Sequence, residues 1–137
     1  MLKPFHLAVP VKDLEKAKFF YLEVLGLKSG RTDTRWVDLN FFGHQLSLHL
    51  VDEISREDFN EVDGDQVPVR HFGLVMDWED WHDFKERIEK KQLSFLLKPK
   101  IRFRGEKGEQ ATFFLRDPCG NALEFKSFKD PERLFAN

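Results

Sequence analysis

The chain has 137 residues, which suits one domain and a hydrophobic core that needs no staples. Its 22 basic and 24 acidic residues nearly cancel, and a sequence pI near 6.2 leaves no electrostatic footprint for nucleic acid or an anionic membrane. Cys119 is the one cysteine, which excludes an intrachain disulfide or a thiolate cluster; no apolar run approaches a membrane span and Met1-Leu2-Lys3-Pro4 opens no signal peptide, so a cytoplasmic protein is expected.

Phe5 to Val11 is an apolar, β-competent run closed by Lys12-Asp13. From Asp13, a candidate N-cap, apolar residues recur at Leu14, Ala17, Phe20 or Tyr21, and Val24 or Leu25, the spacing of an amphipathic helix that stops at Gly26. Three short strands follow, at 27–31, 36–41 and 45–51, separated by Thr32-Asp33-Thr34 and Gly43-His44. This is one βαβββ unit, residues 1–51. The acidic stretch 52–68, with Asp63-Gly64-Asp65, reads as a linker inside a single domain.

The second unit, 69–128, repeats the order. A strand at 71–76 leads into a helix with Asp77 as candidate cap and Trp81, Phe84 and Ile88 on one face. Strands are expected near 95–102, 110–115 and 122–128, and a tail, 129–137, has Leu134 and Phe135 as candidate anchors. His6 and His71 open the equivalent first strands, 65 residues apart; His49 and Glu124, 75 apart, sit in the equivalent last ones. The polar loop Arg104-Gly105-Glu106-Lys107-Gly108-Glu109 has room for most of the ten-residue excess. The predicted fold is therefore α+β: two βαβββ modules forming a cupped mixed sheet with the helices outside.

Alternation places His6 on a face with Ala8 and Pro10, and His71 with Gly73 and Val75. Small neighbours leave open space there, which suits a cavity better than a packed core. The rows Gln45, Ser47, His49 and Ala122, Glu124, Lys126 alternate with apolar residues, so something polar is expected to face inward. A lone strand histidine is more often structural than a ligand, and a strand glutamate is often merely solvated. Joint occurrence at repeat positions shifts that balance toward a divalent metal held by His6, His71 and Glu124, with His49 as a fourth ligand or an acid–base group. Two imidazoles and a carboxylate form a facial triad, which favours Fe(II) with Zn, Ni or Mn as alternatives. His44 and His82 lack repeat support and are assigned to structure or solvent. Cys119 is a turn residue first. Fifteen Phe and three Trp suit either core packing or a pocket for a flat apolar ligand.

Asp117-Pro118-Cys119-Gly120-Asn121 is turn chemistry leading into Ala122-Leu123-Glu124-Phe125. With the paired βαβββ units, the chain resembles the vicinal oxygen chelate superfamily of glyoxalase I, extradiol dioxygenases, fosfomycin-resistance enzymes and bleomycin-binding proteins. More narrowly it is similar to a group of small extradiol-type dioxygenases, through Pro4-Phe5-His6-Leu7-Ala8, Phe42-Gly43-His44-Gln45, Asp77-Trp78-Glu79-Asp80-Trp81-His82, Ile101-Arg102-Phe103, Gly108-Glu109-Gln110-Ala111-Thr112 and Asn121-Ala122-Leu123-Glu124-Phe125-Lys126. The resemblance implies His6, His71 and Glu124 as metal ligands and a homodimer, which would also cover exposed sheet edges. It implies an extradiol-type dioxygenase acting on a catechol-like small molecule, with a glyoxalase-type lyase or isomerase and a non-catalytic drug-binding protein as alternatives. His49 falls where glyoxalase I carries a glutamate ligand and extradiol enzymes require none. Classical extradiol enzymes place a tyrosine and a histidine near the metal as acid–base groups. The one tyrosine here, Tyr21, is on the first helix facing the sheet, so either His49 does that work or the chemistry differs from theirs.

Overall fold

A computed structural model describes residues 2–137. Their contacts divide into two compact units, one of residues 2–57 with Asp117–Asn121, the other of Asp58–Arg116 with Ala122–Asn137.

In the first unit β1 (His6–Val11), β2 (Lys28–Thr32), β3 (Trp36–Phe41) and β4 (His44–Leu50) form a four-stranded sheet in the order β1-β4-β3-β2. β1 pairs parallel to β4, and the remaining pairs are antiparallel. One face is apolar, with Val9, Val11, Val37, Leu39, Phe41, Leu46 and Leu48 buried. That pattern follows from the period of two along each strand.

Between β1 and β2 the sequence periodicity predicts one helix. The chain instead forms a short helix α1 (Leu14–Lys18) that passes into a π-helical segment, Phe19–Val24. Asp13 caps α1 by accepting the Lys16 N–H at 3.0 Å, as expected. The switch widens the turn, so that Leu25 N–H donates to Phe20 O at 3.0 Å. Adjacent Phe20 and Tyr21 are then both buried, their rings edge to face at 5.0 Å. The Tyr21 hydroxyl, fully inside, donates to Asp117 Oδ2 at 2.8 Å. Burial and the Asp117 carboxylate both push the Tyr21 pKa well above its ordinary value, so the ring stays protonated and donating. Asp117 also accepts from the backbone N–H groups of Cys119 and Asn121 and from the Asn121 amide. Tyr21→Phe removes a hydrogen bond to a buried carboxylate and is expected to cost about 1.5–3 kcal/mol. A lower urea midpoint at unchanged slope would register it.

The second unit repeats the topology. β7 (Phe72–Val75), β8 (Leu97–Arg102), β9 (Gln110–Arg116) and β10 (Ala122–Phe128) lie in the order β7-β10-β9-β8, with β7 parallel to β10. Helix α2 (Trp78–Glu89) buries Trp81, Phe84 and Ile88, the predicted face. Phe84 packs on Phe125 at 4.9 Å, Phe113 lies tilted against Phe125 at 5.5 Å, and Trp81 Nε1–H donates to the Phe125 carbonyl at 2.8 Å. Much of the aromatic content is thus core. Asp77 occupies the N-cap position of α2 without a side-chain capping bond.

Two expectations need correction. Residues 52–68 are not simply a linker: β5 (Asp58–Val62) and β6 (Asp65–Val69) form an antiparallel hairpin around Asp63-Gly64. Both turn residues have positive φ, 49° and 84°, which an Asp-Gly pair adopts cheaply. The tail forms a 3-10 turn, Pro131–Phe135, but Phe135 is 91% exposed and anchors nothing. Among the described residues no helix is long and apolar enough to cross a membrane.

Candidate metal centre

His71 lies between β6 and β7, and Glu124 projects from β10 opposite Gly73. The register brings the two side chains to one face, with His71 Nε2 3.5 Å from Glu124 Oε1. That spacing is long for a hydrogen bond and is an electrostatic contact when the ring is protonated. Each partner is held from behind. His71 Nδ1–H donates to the Pro68 carbonyl at 2.6 Å, which leaves Nε2 as the nitrogen presented to Glu124. The Thr112 hydroxyl donates to Glu124 Oε2 at 2.6 Å, leaving Oε1 toward His71. Phe114, buried on the same face, meets the His71 ring edge to face at 5.0 Å.

The Glu124 carboxylate, more than the Pro68 carbonyl, raises the His71 pKa above its ordinary 6.5 against a lesser opposing effect of burial. Burial works to raise the Glu124 pKa, but His71 and Thr112 outweigh it and hold the carboxyl below 4.5. In the metal-free protein the His71 contribution is present below pH 6.5 and fades as pH rises through the raised pKa. The Glu124 contribution is present above pH 4.5 and fades as pH falls through the depressed one. Stability from the pair should therefore peak between those two values. Melting temperature against pH is expected to show that peak in the native sequence and to lose it in Glu124→Gln; parallel curves would contradict the pairing.

The donor types and spacing fit a divalent ion. Two donors each about 2.1 Å from one ion are separated by about 3.4 Å at a near-tetrahedral angle, close to the observed 3.5 Å. An imidazole whose far N–H is tied to a carbonyl and a carboxylate tied by a hydroxyl are the outer partners metal ligands need. Among the described residues no group of three or more His, Cys, Asp or Glu side chains is gathered to hold an ion. The second unit supplies this pair.

His6 and His49 belong to the first unit, both exposed on the polar face of its sheet. They are not brought together. His6 pairs with Gln45 and His49 with Pro10, so they stand four residues apart along the strands, roughly 13 Å. The register also corrects the repeat. With His6 equivalent to His71, Ala8 corresponds to Gly73, and their cross-strand partners are Ser47 and Glu124. Ser47, not His49, is the counterpart of Glu124, while His49 is the counterpart of Lys126. Ser47 is buried, and its hydroxyl donates to Asp38 Oδ1 at 2.6 Å. Asp38 is also buried and accepts from the Gln45 amide at 3.3 Å.

Pro68 has no signal in the sequence as a member of the site, while Ser47 stands in the polar row with His49 and Thr112 ends one of the family-like segments, neither marked out there by chemistry of its own. His44 accepts the Phe5 N–H at Nδ1, and His82 donates from Nδ1 to the Trp78 carbonyl, structural roles for both. Cys119 Sγ accepts the Lys12 N–H at 3.3 Å within its turn. A groove of about 470 Å³ lined by Glu106, Lys107, Lys129, Asp130 and Arg133 contains none of the predicted site residues.

Comparison with known proteins identifies the family and the fold. The family model described as the glyoxalase/bleomycin resistance protein/dioxygenase superfamily matches residues 3–125. A Bacillus subtilis (strain 168) protein named "Probable trivalent organoarsenical cleaving enzyme" is 31% identical over 127 residues, 90% of this chain and 79% of that one. The crystal structure of a glyoxalase/bleomycin resistance protein/dioxygenase from Alicyclobacillus acidocaldarius is 36% identical, covers 97% of this chain and 96% of its own, and superposes with a TM-score of 0.80. Lactoylglutathione lyase from Agrobacterium tumefaciens, 22% identical with a TM-score of 0.65 over 98% of this chain and 97% of its own, shares the fold. Two units of equivalent strand order, each with a histidine at or just before the first strand of its parallel pair, and a family match over nearly the whole length lead to one conclusion: this chain belongs to the glyoxalase/bleomycin resistance protein/dioxygenase superfamily.

Proposed function

We propose that this protein is a divalent-metal enzyme of the extradiol-dioxygenase type, acting on a small molecule with two neighbouring oxygens, such as a catechol. His6, His71 and Glu124 are its metal donors and Fe(II) its ion. The observation that carries this reading is the His71–Glu124 pair, oriented by Pro68 and Thr112, in a chain whose fourth repeat position is Ser47. A neutral hydroxyl already committed to Asp38 is a poor fourth ligand, so the donor set stops at two imidazoles and one carboxylate. Three donors leave open positions for substrate and O2, whereas a carboxylate in the fourth position would suit a glyoxalase-type site. When bound, the ion supplies Lewis acidity to the substrate oxygens and, as Fe(II), redox chemistry with O2.

The chain's own residues do the rest. The Pro68 carbonyl keeps the His71 proton on Nδ1, and Thr112 keeps one Glu124 oxygen directed toward Nε2. His49 stands one strand period beyond Ser47, about 7 Å along β4. That displacement favours an acid–base role at its imidazole over a ligand role. The exposed edge strand β2 and the exposed Phe19 and Phe103 support a homodimer, which sedimentation at tens of micromolar would detect. The unpaired Cys119 fits a reducing cytoplasm.

The likeness to the B. subtilis protein favours a second substrate class, a trivalent organoarsenical. Trivalent arsenic is soft and prefers thiolates, and this chain offers the single thiol of Cys119. Catechols are therefore the first class to test. After anaerobic loading with Fe(II), oxygen uptake should be measured over a catechol panel, with a trivalent arylarsenical and a hemithioacetal in parallel. Uptake with a catechol that vanishes in His6→Ala supports the proposal. Hemithioacetal turnover with Ni or Zn and no oxygen demand would replace it with a lyase, and arsenical turnover alone would move the substrate class.

A further inference from the structure

The hairpin β5–β6 ends, two residues on, at His71, and its two ends are held very differently. At its tip, Arg102 of β8 is almost wholly buried, 6% exposed. Its Nη1 donates to the Val62 carbonyl at 3.3 Å and to Asp63 Oδ2 at 3.0 Å; its Nη2 donates to Asp65 Oδ2 at 3.0 Å. Lys100, also on β8, donates to the same Asp65 oxygen at 2.7 Å. Burying a guanidinium is costly unless its donors are met, and here a carbonyl and two carboxylates meet them in a forked geometry that lysine cannot copy. At the far end of β6 is Pro68, whose carbonyl takes the His71 Nδ1–H at 2.6 Å. Every residue of β5 is exposed, and on β6 only Val67 and Pro68 are buried, so apolar contact holds one strand of this ribbon near its far end and leaves the turn to polar contacts. At the turn itself, the contacts of Arg102 and Lys100 are what hold it to β8.

We propose that Arg102 is a positioning residue for His71: by gripping Asp63 and Asp65 it holds the β5–β6 hairpin so that the Pro68 carbonyl keeps the imidazole proton on Nδ1 and turns Nε2 toward Glu124. The proposal rests on His71 being a metal donor only for its functional consequence; the tautomer itself is a property of the metal-free protein. A hairpin freed at the tip carries Pro68 away. The ring then loses its fixed acceptor, exchanges tautomers, and presents a lone pair at Nε2 only part of the time. A mere staple would lower stability and leave the ring as it was.

The test uses Arg102→Met, Arg102→Lys and Asp65→Asn in the full chain. Asp63 and Asp65 are 43% and 25% exposed, so they rehydrate when their partner is removed, and Asp65→Asn keeps the buried guanidinium in place should Arg102→Met fail to fold. Heteronuclear NMR of the imidazole nitrogens in metal-free protein, above the titration of the ring, reads the tautomer. Calorimetry with Zn(II) alone reads affinity. The native sequence should show a single Nδ1–H form. Arg102→Met and Asp65→Asn should show mixed tautomers and Zn(II) affinity lower by about tenfold or more, as losses of outer partners do. Arg102→Lys should lie between. A single Nδ1–H form with unchanged Zn(II) affinity in folded Arg102→Met or Asp65→Asn would overturn the proposal. Zn(II) binding equally well to His71→Ala would instead remove His71 from the ligand set, while the tautomer measurement would still decide whether the grip on the hairpin orients the ring.

Discussion

Glu124→Ala is expected to abolish stoichiometric metal and, with it, turnover. Glu124 is the one anionic donor of the proposed set, and its removal leaves only imidazoles to face a divalent charge. It also strips Thr112 of its acceptor and His71 of its charged partner. The loss of affinity should exceed the roughly 10–100-fold that removal of an outer partner causes. Elemental analysis of protein loaded with Fe(II) or Zn(II) would show it, and metal content equal to that of the native sequence would sink the assignment. Glu124→Gln keeps the shape and an oxygen for Thr112, so a folded but metal-poor protein there separates charge from packing.

A second large effect is expected at Gly73. A Cβ built there would overlap the Glu124 carbonyl oxygen and lie 2.6 Å from its carbon and 2.9 Å from its nitrogen. The obstacle is backbone, not the flexible end of a side chain, so β7 and β10 must separate to admit even a methyl group. Gly73→Ala should cost more than about 3 kcal/mol, at the severe end for a single substitution. That would lower the melting temperature by about 10 °C or more. Because β10 carries Glu124 and β7 follows His71, metal affinity should fall in whatever fraction still folds. Ala8, the corresponding residue of the first unit, faces Ser47 and already carries its methyl group. A melting temperature within a degree or two of the native value would show that the two strands have more freedom than their register implies.

Much of the fold could be read from the sequence because its signals are local. β3 and β10 fall where the apolar alternation put them, and Trp81, Phe84 and Ile88 are spaced as one helix face. The hairpin was missed because β5 is exposed along its whole length and neither strand shows a clean apolar alternation; only the Asp-Gly turn marked it. The π-helical segment was missed for a related reason, since a helical period cannot tell one wide turn from a normal one over six residues. The assignment of His49 as the counterpart of Glu124 failed on geometry. Ser47 and His49 share a face, so alternation accepts either; only the pairing of β4 with β1 separates them, and pairing is not local. The same applies to Thr112 and Pro68, whose roles arise from contacts made across the fold.

The turn Asp117–Asn121 lies in sequence between two strands of the second unit, yet its contacts belong to the first, where Asp117 receives the Tyr21 hydroxyl and the Asn121 amide donates to the Pro10 carbonyl at 2.8 Å. During synthesis, therefore, the amino-terminal unit has its own strands and helix long before it has its last piece. Until residue 117 leaves the ribosome, the Tyr21 hydroxyl has no carboxylate to meet, and that contact spans 96 positions of chain. Completion of the first unit is thus tied to translation of most of the second, so the two halves should mature together and not in sequence.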